Sequence, residues 1–448
     1  MRSSNIFNNY QSNNRTNIIL LTIFGCLFLS PLVNTHLPIK QYTRLNEIFL
    51  MLATIYYLTN GKLFKYGFNK IEISLLLLAI SLSISILFGY IFLGVYPAII
   101  DFYQVFNLFL FVLYFKIGRL SDIANFDKIV KVVSIIFLTY SIFNIITMFG
   151  WGFEVLLPYY IPEEPYLRNK ASYDWIGFMP RSVGIMGNAN SSAIISNIVF
   201  IISLSWLSIY RVKKQFSIYI LIIIFIIIIS TMSHFSRTGL LSLLGGLVAL
   251  FWNKKIVFNI LKLIKILAPI ILIIAIFGSI ALSKMDINPS DLRGFNFLDS
   301  VDISSGNSTL SWRFISWKDG LGEFIKSPIF GWGLRYHPKN FHLSPHNEFI
   351  DILMVTGLLG FILYLTFYYH SITFAIKVKN DKSSRVNQFL GKSLLAIIVS
   401  LLVHNIAVGS FFNFTILPIF LVFMGFVNFQ YYGENNIRAR GSLQSTVR

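Results

Sequence analysis

The sequence predicts an all-α membrane protein, a polytopic bundle of about twelve transmembrane helices with a large outer loop that bears an interfacial helix. Hydrophobic residues make up 55% of the 448 residues, charged residues only 12%, and the mean hydropathy is +0.68. One core could not bury this much apolar surface, so a soluble globular protein is excluded. Apolar runs of about 20 residues, the length that crosses a bilayer, recur along the chain.

The predicted spans are separated mostly by short connections. They cover approximately residues 17–34, 45–59, 71–93, 97–115, 129–149, 189–209, 217–233, 238–252, 266–283, 346–369, 393–411 and 414–430. Two of them are short, so about eleven spans is the alternative count. We divide the chain into an N-terminal bundle with the first outer loop, residues 1–188, and a second transmembrane region, residues 189–448, which contains the large outer loop 284–345.

The net charge of +18 is unevenly distributed, and its distribution predicts the orientation. With the N-terminus inside, most lysines and arginines fall in inner segments, whereas basic and acidic residues nearly balance outside. Excess Lys and Arg in cytoplasmic segments is the usual orientation signal of membrane proteins. We therefore expect a multi-pass protein with both termini in the cytoplasm and no binding of nucleic acid. The opposite orientation would place most basic residues outside.

The sequence lacks the usual motifs of several enzyme classes. The sequence has no G-x-x-x-x-G-K-[ST], H-E-x-x-H or G-x-S-x-G, the motifs of nucleotide hydrolysis, zinc proteolysis and serine hydrolysis. Its single cysteine, Cys26, excludes a disulfide framework and a cysteine-ligated metal site. His337, His342 and His346 lie close together, but Pro345 interrupts their helical spacing and no carboxylate cluster completes a ligand set. We expect no metal and no cofactor.

The large outer loop contains one predicted helix. Its aromatic and aliphatic residues recur at helical spacing and predict a helix lying on the outer membrane surface, at positions Phe314, Trp317, Leu321, Phe324 and Ile325. Arg313, Ser316 and Gly320 share another face, turned toward the aqueous side or the mouth of the bundle. We expect the helix to stop near Ser327-Pro328, and Gly331-Trp332-Gly333 to form a flexible turn.

The segment Ser344-Pro345-His346-Asn347-Glu348 opens the tenth predicted span. Serine at the N-cap with proline at N1 is a preferred helix start, so we expect Ser344 to cap the helix and His346 to lie in its first turn. The helix dipole there disfavours imidazolium, and a neutral imidazole can take a proton from a hydroxyl. The alternative is an interfacial histidine that only hydrogen-bonds or caps. The dipole alone accounts for Glu348 and Asp351 in the same turns.

Three arginines are predicted on the same outer side. Arg237 lies in a turn of a few residues between two spans, Arg313 on the surface helix, and Arg181 shortly before the sixth span. Arginine near the membrane boundary is costly unless it is paired, and its guanidinium group matches phosphate well. A lipid pyrophosphate is one partner able to occupy several of them. The alternative for each is a side chain that reaches the headgroups or pairs with an acid such as Asp101.

Three motifs follow one another in this part of the chain. Ser236-Arg237-Thr238-Gly239 heads a span, Arg313-Phe314-Ile315-Ser316-Trp317 is followed by Pro328-Ile329-Phe330-Gly331-Trp332-Gly333, and His346-Asn347 precedes Gly357-Leu358-Leu359-Gly360 by nine residues. Together they resemble the pattern of the bacterial O-antigen ligase and O-antigen polymerase family, in order and in sidedness. The first five spans resemble that family only in character.

The resemblance implies an inverting, metal-independent membrane glycosyltransferase of the bacterial cytoplasmic (inner) membrane. Its donor would be an oligosaccharide on undecaprenyl pyrophosphate, and its partners a chain-length regulator and a flippase. By matching position, His346 would activate the acceptor hydroxyl, while Arg237 and Arg313 would hold the pyrophosphate and stabilise its charge as it leaves. The residues that we expect to bind substrate are Arg181, Asn190, Asn347, Glu348 and Arg335.

Two activities within the family remain open from the sequence. A polymerase passes the growing chain to a new lipid-linked repeat unit, whereas a ligase passes it to a final carrier such as lipid A core. Two sizeable outer loops favour the polymerase. The alternative from another class is a transporter or flippase for lipid-linked sugar. That class tends to place ionisable groups near the midplane, whereas the candidates here collect at the outer mouth.

Overall fold

The computed structural model describes most of the chain and is helical over that part. The described residues are 18–28 except 20 and 24, 45–63, 67–120, 126–148, 189–212, 218–251 except 235, 309–334, 345–409 and 415–445. The predicted span 266–283 and the predicted site residues Arg181 and Arg335 lie outside them. No strand occurs within these ranges.

The helices from residue 45 onward are numbered here in chain order. They are α1 (Leu45–Thr59), α2 (Lys70–Leu93), α3 (Ile99–Arg119), α4 (Phe126–Met148), α5 (Ala189–Val212), α6 (Ile218–Ser233), α7 (Arg237–Phe251), α8 (Thr309–Lys326), α9 (Glu348–Lys379), α10 (Arg385–Asn405) and α11 (Ile416–Ser445). All of these except α8 fall on predicted spans, and α8 is the predicted loop helix.

Four stretches of helix in the described residues are long and apolar enough to cross a membrane. They are Lys70–Leu93, Ala189–Trp206, Glu348–Lys379 and Arg385–Asn405. Shorter apolar helices cover Val132–Ile146, Ile222–Ser233, Arg237–Phe251 and Ile416–Tyr432. The all-α membrane prediction is therefore confirmed over the described residues, whereas the count of about twelve spans is not confirmed.

Helices from both sides of residue 188 pack together in one bundle. α2 lies against α3 and α9, α3 against α11, α9 against α10, and α10 against α5 and α7. Where α3 crosses α11, Gly118 and Gly425 bring the two backbones into direct contact, because a side chain on either would overlap the other helix. Aliphatic side chains fill the interior and also cover much of the outer surface, as expected of a bundle in lipid.

A buried ion cluster closes one end of this bundle. α2 begins with a capping box in which Asn69 and Glu72 each accept a backbone hydrogen bond from the other. The fully buried Glu72 carboxylate also pairs with Lys116 at 3.1 Å and Arg119 at 2.8 Å. A buried carboxylate needs such partners, since an unpaired charge in the interior is strongly destabilising.

Candidate active site

Helix α9 is broken at Gly357 and folds back on itself. Gly357 has φ 63° and ψ −165°, a conformation essentially restricted to glycine. The rings of Phe349 and Tyr364 lie 6.0 Å apart between centroids. Fifteen residues along a straight helix would separate them by about 22 Å. The prediction of one continuous span over 346–369 is therefore corrected: residues 348–356 form a short helix that lies beside residues 358–379.

The turn after α8 fills the break in α9. Trp332 N donates to Met354 O at 2.9 Å and Gly333 N to Val355 O at 3.0 Å. In return, Leu358 N donates to Pro328 O at 2.8 Å. These bonds satisfy backbone groups that the break exposes, which is obligatory inside a membrane. The prediction that Gly331-Trp332-Gly333 is a flexible turn is wrong, because these bonds hold it on both sides of Gly357.

Helix α2 fixes the same junction from the other side. Ser85 Oγ accepts a hydrogen bond from Gly333 N at 3.1 Å and donates one to Val355 O. Gly89 of α2 lies directly against the backbone of Trp332, where a side chain would collide with the Trp332 carbonyl oxygen. The turn, the break and α2 thus form one packed unit that sets the position of residues 345–356.

Helix α8 positions Arg313 over the start of α9. It ends at Lys326, as the sequence predicts, and Trp317 Nε1 donates to Pro345 O at 2.8 Å. Ser316 is buried, and a Cβ on Gly320 would touch Ile350 at 2.7 Å. The face that bears Arg313 therefore points into the bundle mouth. The residues of the predicted apolar stripe do not all face the same surroundings. Trp317 packs inward, whereas Phe314, Leu321 and Ile325 are the most exposed residues of the stripe.

His346 lies just before the short helix, in an unusual conformation. The N-cap is Asn347, whose side chain accepts from Phe349 N and Ile350 N, so α9 begins at Glu348. The predictions that Ser344 is the N-cap and that His346 lies in the first turn are therefore wrong. Asparagine caps helices as well as serine does, and the Asn347 side chain accepts hydrogen bonds from two backbone amides here. His346 has φ 49°, the one positive φ of a non-glycine residue in the described ranges. Such backbone costs on the order of 1 kcal/mol and clusters at functional sites.

Electrostatic interactions connect Arg237 with Arg313 and Arg313 with His346. Burial and, secondarily, the charge of Arg237 lower the pKa of Arg313. His346 is accessible, yet partial desolvation and the nearby Arg313 guanidinium lower its pKa below the ordinary 6.5. The imidazole is therefore neutral at physiological pH, which a general base requires. The structure thus brings together the three residues to which the resemblance gives catalytic roles.

The lowered pKa of His346 makes a prediction about pH. If the neutral imidazole is the base, turnover stays constant near pH 7 and falls only below pH 6.5, as the ring becomes protonated. Removing the neighbouring positive charge in Arg313→Gln raises the pKa of His346, so the acid limb of the residual activity moves to higher pH. The measurement is the pH profile of glycan transfer for both proteins. An acid limb at the same pH in both would contradict this electrostatic coupling.

The turn that carries Arg237 is anchored on α5. Ser236 Oγ donates to Asn190 Oδ1 at 2.7 Å and accepts from Gly239 N at 3.0 Å. Asn197 Nδ2 donates to Gly239 O at 2.8 Å, so α5 holds both ends of the Ser-Arg-Thr-Gly motif. Asn190, predicted to bind substrate, thus contacts the residue next to Arg237. Asn197 was missed by the sequence interpretation, although an asparagine within an apolar span is a signal for such a contact.

The acidic side chains of α9 face the end of α10. Glu348 is buried, and a Cβ on Gly409 would lie 2.7 Å from Glu348 Oε2 and 3.8 Å from Asp351 Oδ2. Asn347 is occupied as the N-cap. The substrate-binding roles of Asn347 and Glu348 therefore remain predictions. Asp101 accepts a hydrogen bond from Ala98 N at 2.7 Å and so caps α3.

Metal binding at this site would need several His, Cys, Asp or Glu side chains close together within the described residues. No group of three His, Cys, Asp or Glu side chains there has the arrangement of a metal site. The predicted neighbours of His346 in such a site, His337 and His342, lie outside the described ranges.

Residues 220–365 match the family model described as O-antigen ligase. A search of curated proteins gave no match. The matched stretch includes Arg237, Arg313 and His346, and it ends after the break at Gly357. The match confirms the resemblance that the motifs carry and indicates an O-antigen ligase- or polymerase-type activity in a membrane enzyme. Over residues 220–365 the chain is therefore similar to the O-antigen ligase and polymerase family.

Proposed function

We propose that the protein polymerises undecaprenyl-pyrophosphate-linked oligosaccharide repeat units into an O-antigen- or capsule-type polysaccharide. The reaction would take place on the outer side of the bacterial cytoplasmic membrane, with both termini of the enzyme inside. The observation that carries this proposal is the meeting of one neutral imidazole and two guanidinium groups within residues 220–365, the stretch similar to the O-antigen ligase family. The short helix 348–356 and helix α8 hold two of these groups at the mouth of the bundle.

The proposed chemistry is an inverting displacement at the anomeric carbon of the donor. His346 takes the proton of the acceptor hydroxyl while the acceptor oxygen forms the new glycosidic bond. The bond between the anomeric carbon and the pyrophosphate oxygen breaks, and the electron pair leaves with undecaprenyl pyrophosphate. Arg313 and Arg237 stabilise the negative charge that develops there. The protein must otherwise only place two lipid-anchored substrates against each other, which lowers the entropic part of the barrier.

The surroundings of the site suit lipid-anchored substrates. Phe314, Leu321, Ile325 and Ile329 expose apolar surface beside Arg313, on α8 and the turn that follows it. Polyprenyl chains bind to such surface through the hydrophobic effect, while the pyrophosphate stays at the arginines. This arrangement supports a donor that arrives within the membrane plane.

We expect Arg313→Gln and Arg237→Gln each to lower turnover about 100-fold, since each removes charge stabilisation from the leaving group. The measurement is the initial rate of glycan transfer by purified enzyme in liposomes that contain lipid-linked repeat units. Lys318→Gln on the exposed side of α8 is the matched control and should retain the wild-type rate. Equal rates in wild-type enzyme and both arginine variants would refute their assignment.

One experiment separates polymerase, ligase and transporter. Wild-type enzyme is reconstituted with lipid-linked repeat units, first alone and then with lipid A core. A polymerase produces longer lipid-linked chains without the core acceptor, whereas a ligase forms product only when the core is present. A transporter moves the lipid-linked sugar across the bilayer and forms no glycosidic bond. Long chains in the first reaction are the expected result, and their absence would overturn the polymerase proposal.

A further inference from the structure

A cavity lies at the end of the bundle opposite to His346. It encloses about 780 Å³ between the start of α2, the ends of α3 and α9, and α11. The far end of α2, at Ser85 and Gly89, contacts the turn that fills the break in α9, so the two sites are separated by most of the length of α2. A volume of this size lies within the usual range for ligand pockets, about 300–1,000 Å³.

The lining of this cavity is positively charged. Lys70, Arg119 and Lys377 line it, together with His370, which interacts electrostatically with Lys70. Among the described residues that line it there is no aspartate or glutamate. The nearest buried carboxylate, Glu72, is already paired with two cations. The cavity therefore favours an anionic ligand.

Much of the remaining wall is apolar and aromatic, beside the polar Asn69, Thr373 and Asn428. Phe68, Phe374 and Tyr432 contribute rings, and Lys377 Nζ lies 5.2 Å from the centroid of the Tyr432 ring. Ile73 lines the cavity and also begins an exposed stripe along α2. The stripe continues at helical spacing through Leu77, Ile80, Ile84 and Leu87. A cationic pocket thus opens onto a continuous apolar surface that suits an acyl chain.

We propose that this cavity binds the phosphate headgroup of an anionic phospholipid, whose acyl chains lie along the exposed stripe of α2. In the orientation proposed above, the cavity faces the cytoplasmic leaflet, where basic pockets between transmembrane helices recognise anionic lipids. Lys70 and Lys377 bind the phosphate oxygens, beside Arg119, which stays paired with Glu72. The stripe on α2 favours a lipid over a soluble phosphate compound, because only a lipid gains free energy from the apolar surface.

The test uses the full chain purified in detergent and phosphatidylglycerol as the probe, with phosphatidylcholine as the neutral lipid. Affinity is measured by native mass spectrometry and by the rise in the thermal unfolding midpoint. Each lysine near the membrane surface contributes about fivefold in affinity, so Lys70→Gln with Lys377→Gln should weaken phosphatidylglycerol binding about 25-fold. The matched control removes two other lysines at the same end of the bundle, Lys382 and Lys392, and should bind as the wild type does.

Three outcomes would overturn the proposal. The first is unchanged binding in the Lys70/Lys377 pair, and the second is an equal loss in the control pair, which indicates general surface charge. In the third, soluble glycerol phosphate protects the wild type as well as phosphatidylglycerol does, which identifies a soluble ligand. If the double variant fails to fold in lipid-free detergent, the single variant Lys377→Gln, whose side chain is exposed, takes its place with an expected fivefold loss.

Discussion

We expect the His346→Gly variant to transfer glycan about 1,000-fold more slowly than the wild type, within the range that general base catalysis contributes. Glycine is the suitable replacement because it adopts φ 49° without strain, so the local backbone is preserved. Arg313 and Arg237 remain in place, and the lipid-linked donor should still bind. The measurements are the initial rate of glycan transfer and the affinity for the lipid-linked donor.

Chemical rescue separates a missing base from a damaged fold. Imidazole added to His346→Gly should restore part of the activity, because a small base can occupy the space that the side chain leaves. The same imidazole should leave Arg313→Gln unchanged, since that variant lacks charge stabilisation and keeps its base. A His346→Gly variant with the wild-type rate, or with no affinity for the donor, would contradict the role of His346 as the base.

We expect Gly357→Ala to destabilise the protein by on the order of 3 kcal/mol. The added methyl group would meet the backbone of Ile329 and, at 2.6 Å, the amide nitrogen of Gly331, and alanine disfavours φ 63°. The turn after α8 would then separate from α9, and His346 would lose its position relative to Arg313. The measurements are the thermal unfolding midpoint in detergent and the glycan transfer rate, both of which should fall.

Gly322→Ala provides the matched control for this substitution. Gly322 lies within α8, and a Cβ there has no atom within 4 Å. Alanine favours a helix over glycine by about 1 kcal/mol, so this variant should be at least as stable as the wild type. If Gly357→Ala is as stable and active as Gly322→Ala, the break in α9 is not needed to hold the site.

Local patterns in the sequence were sufficient for much of this structure. Apolar runs located the described helices other than α8, although α10 begins eight residues before the predicted 393 and α9 and α11 extend ten and fifteen residues past their predicted ends. Helical spacing located α8, whose end at Lys326 follows from Ser327-Pro328. The prediction of a site that joins Arg237, Arg313 and His346 came from motif order, because their separation along the chain carries no geometric information. Their proximity depends on helix packing.

Long-range pairing explains what the sequence did not reveal. The apolar pattern runs without interruption through Gly357, and glycine within a span is common, so nothing local marks a reversal of the helix. The reversal is possible because the turn 328–333, more than twenty residues earlier, provides replacement hydrogen bonds. The burial of Glu72 was missed for the same reason. Lys116 and Arg119 belong to the inner basic residues that indicate the orientation, and they are also the ion partners of Glu72.

The anchoring of the chain on both sides of residues 335–344 has a consequence for how such enzymes diversify. The chain leaves a fixed point at Gly333, bonded to Val355, and returns at another, Pro345, bonded to Trp317. We therefore expect insertions or exchanges between these two points to leave the positions of His346 and Arg313 unaltered, because both residues are held by contacts outside that stretch. Proteins that keep this junction can vary there while His346 and Arg313 stay together.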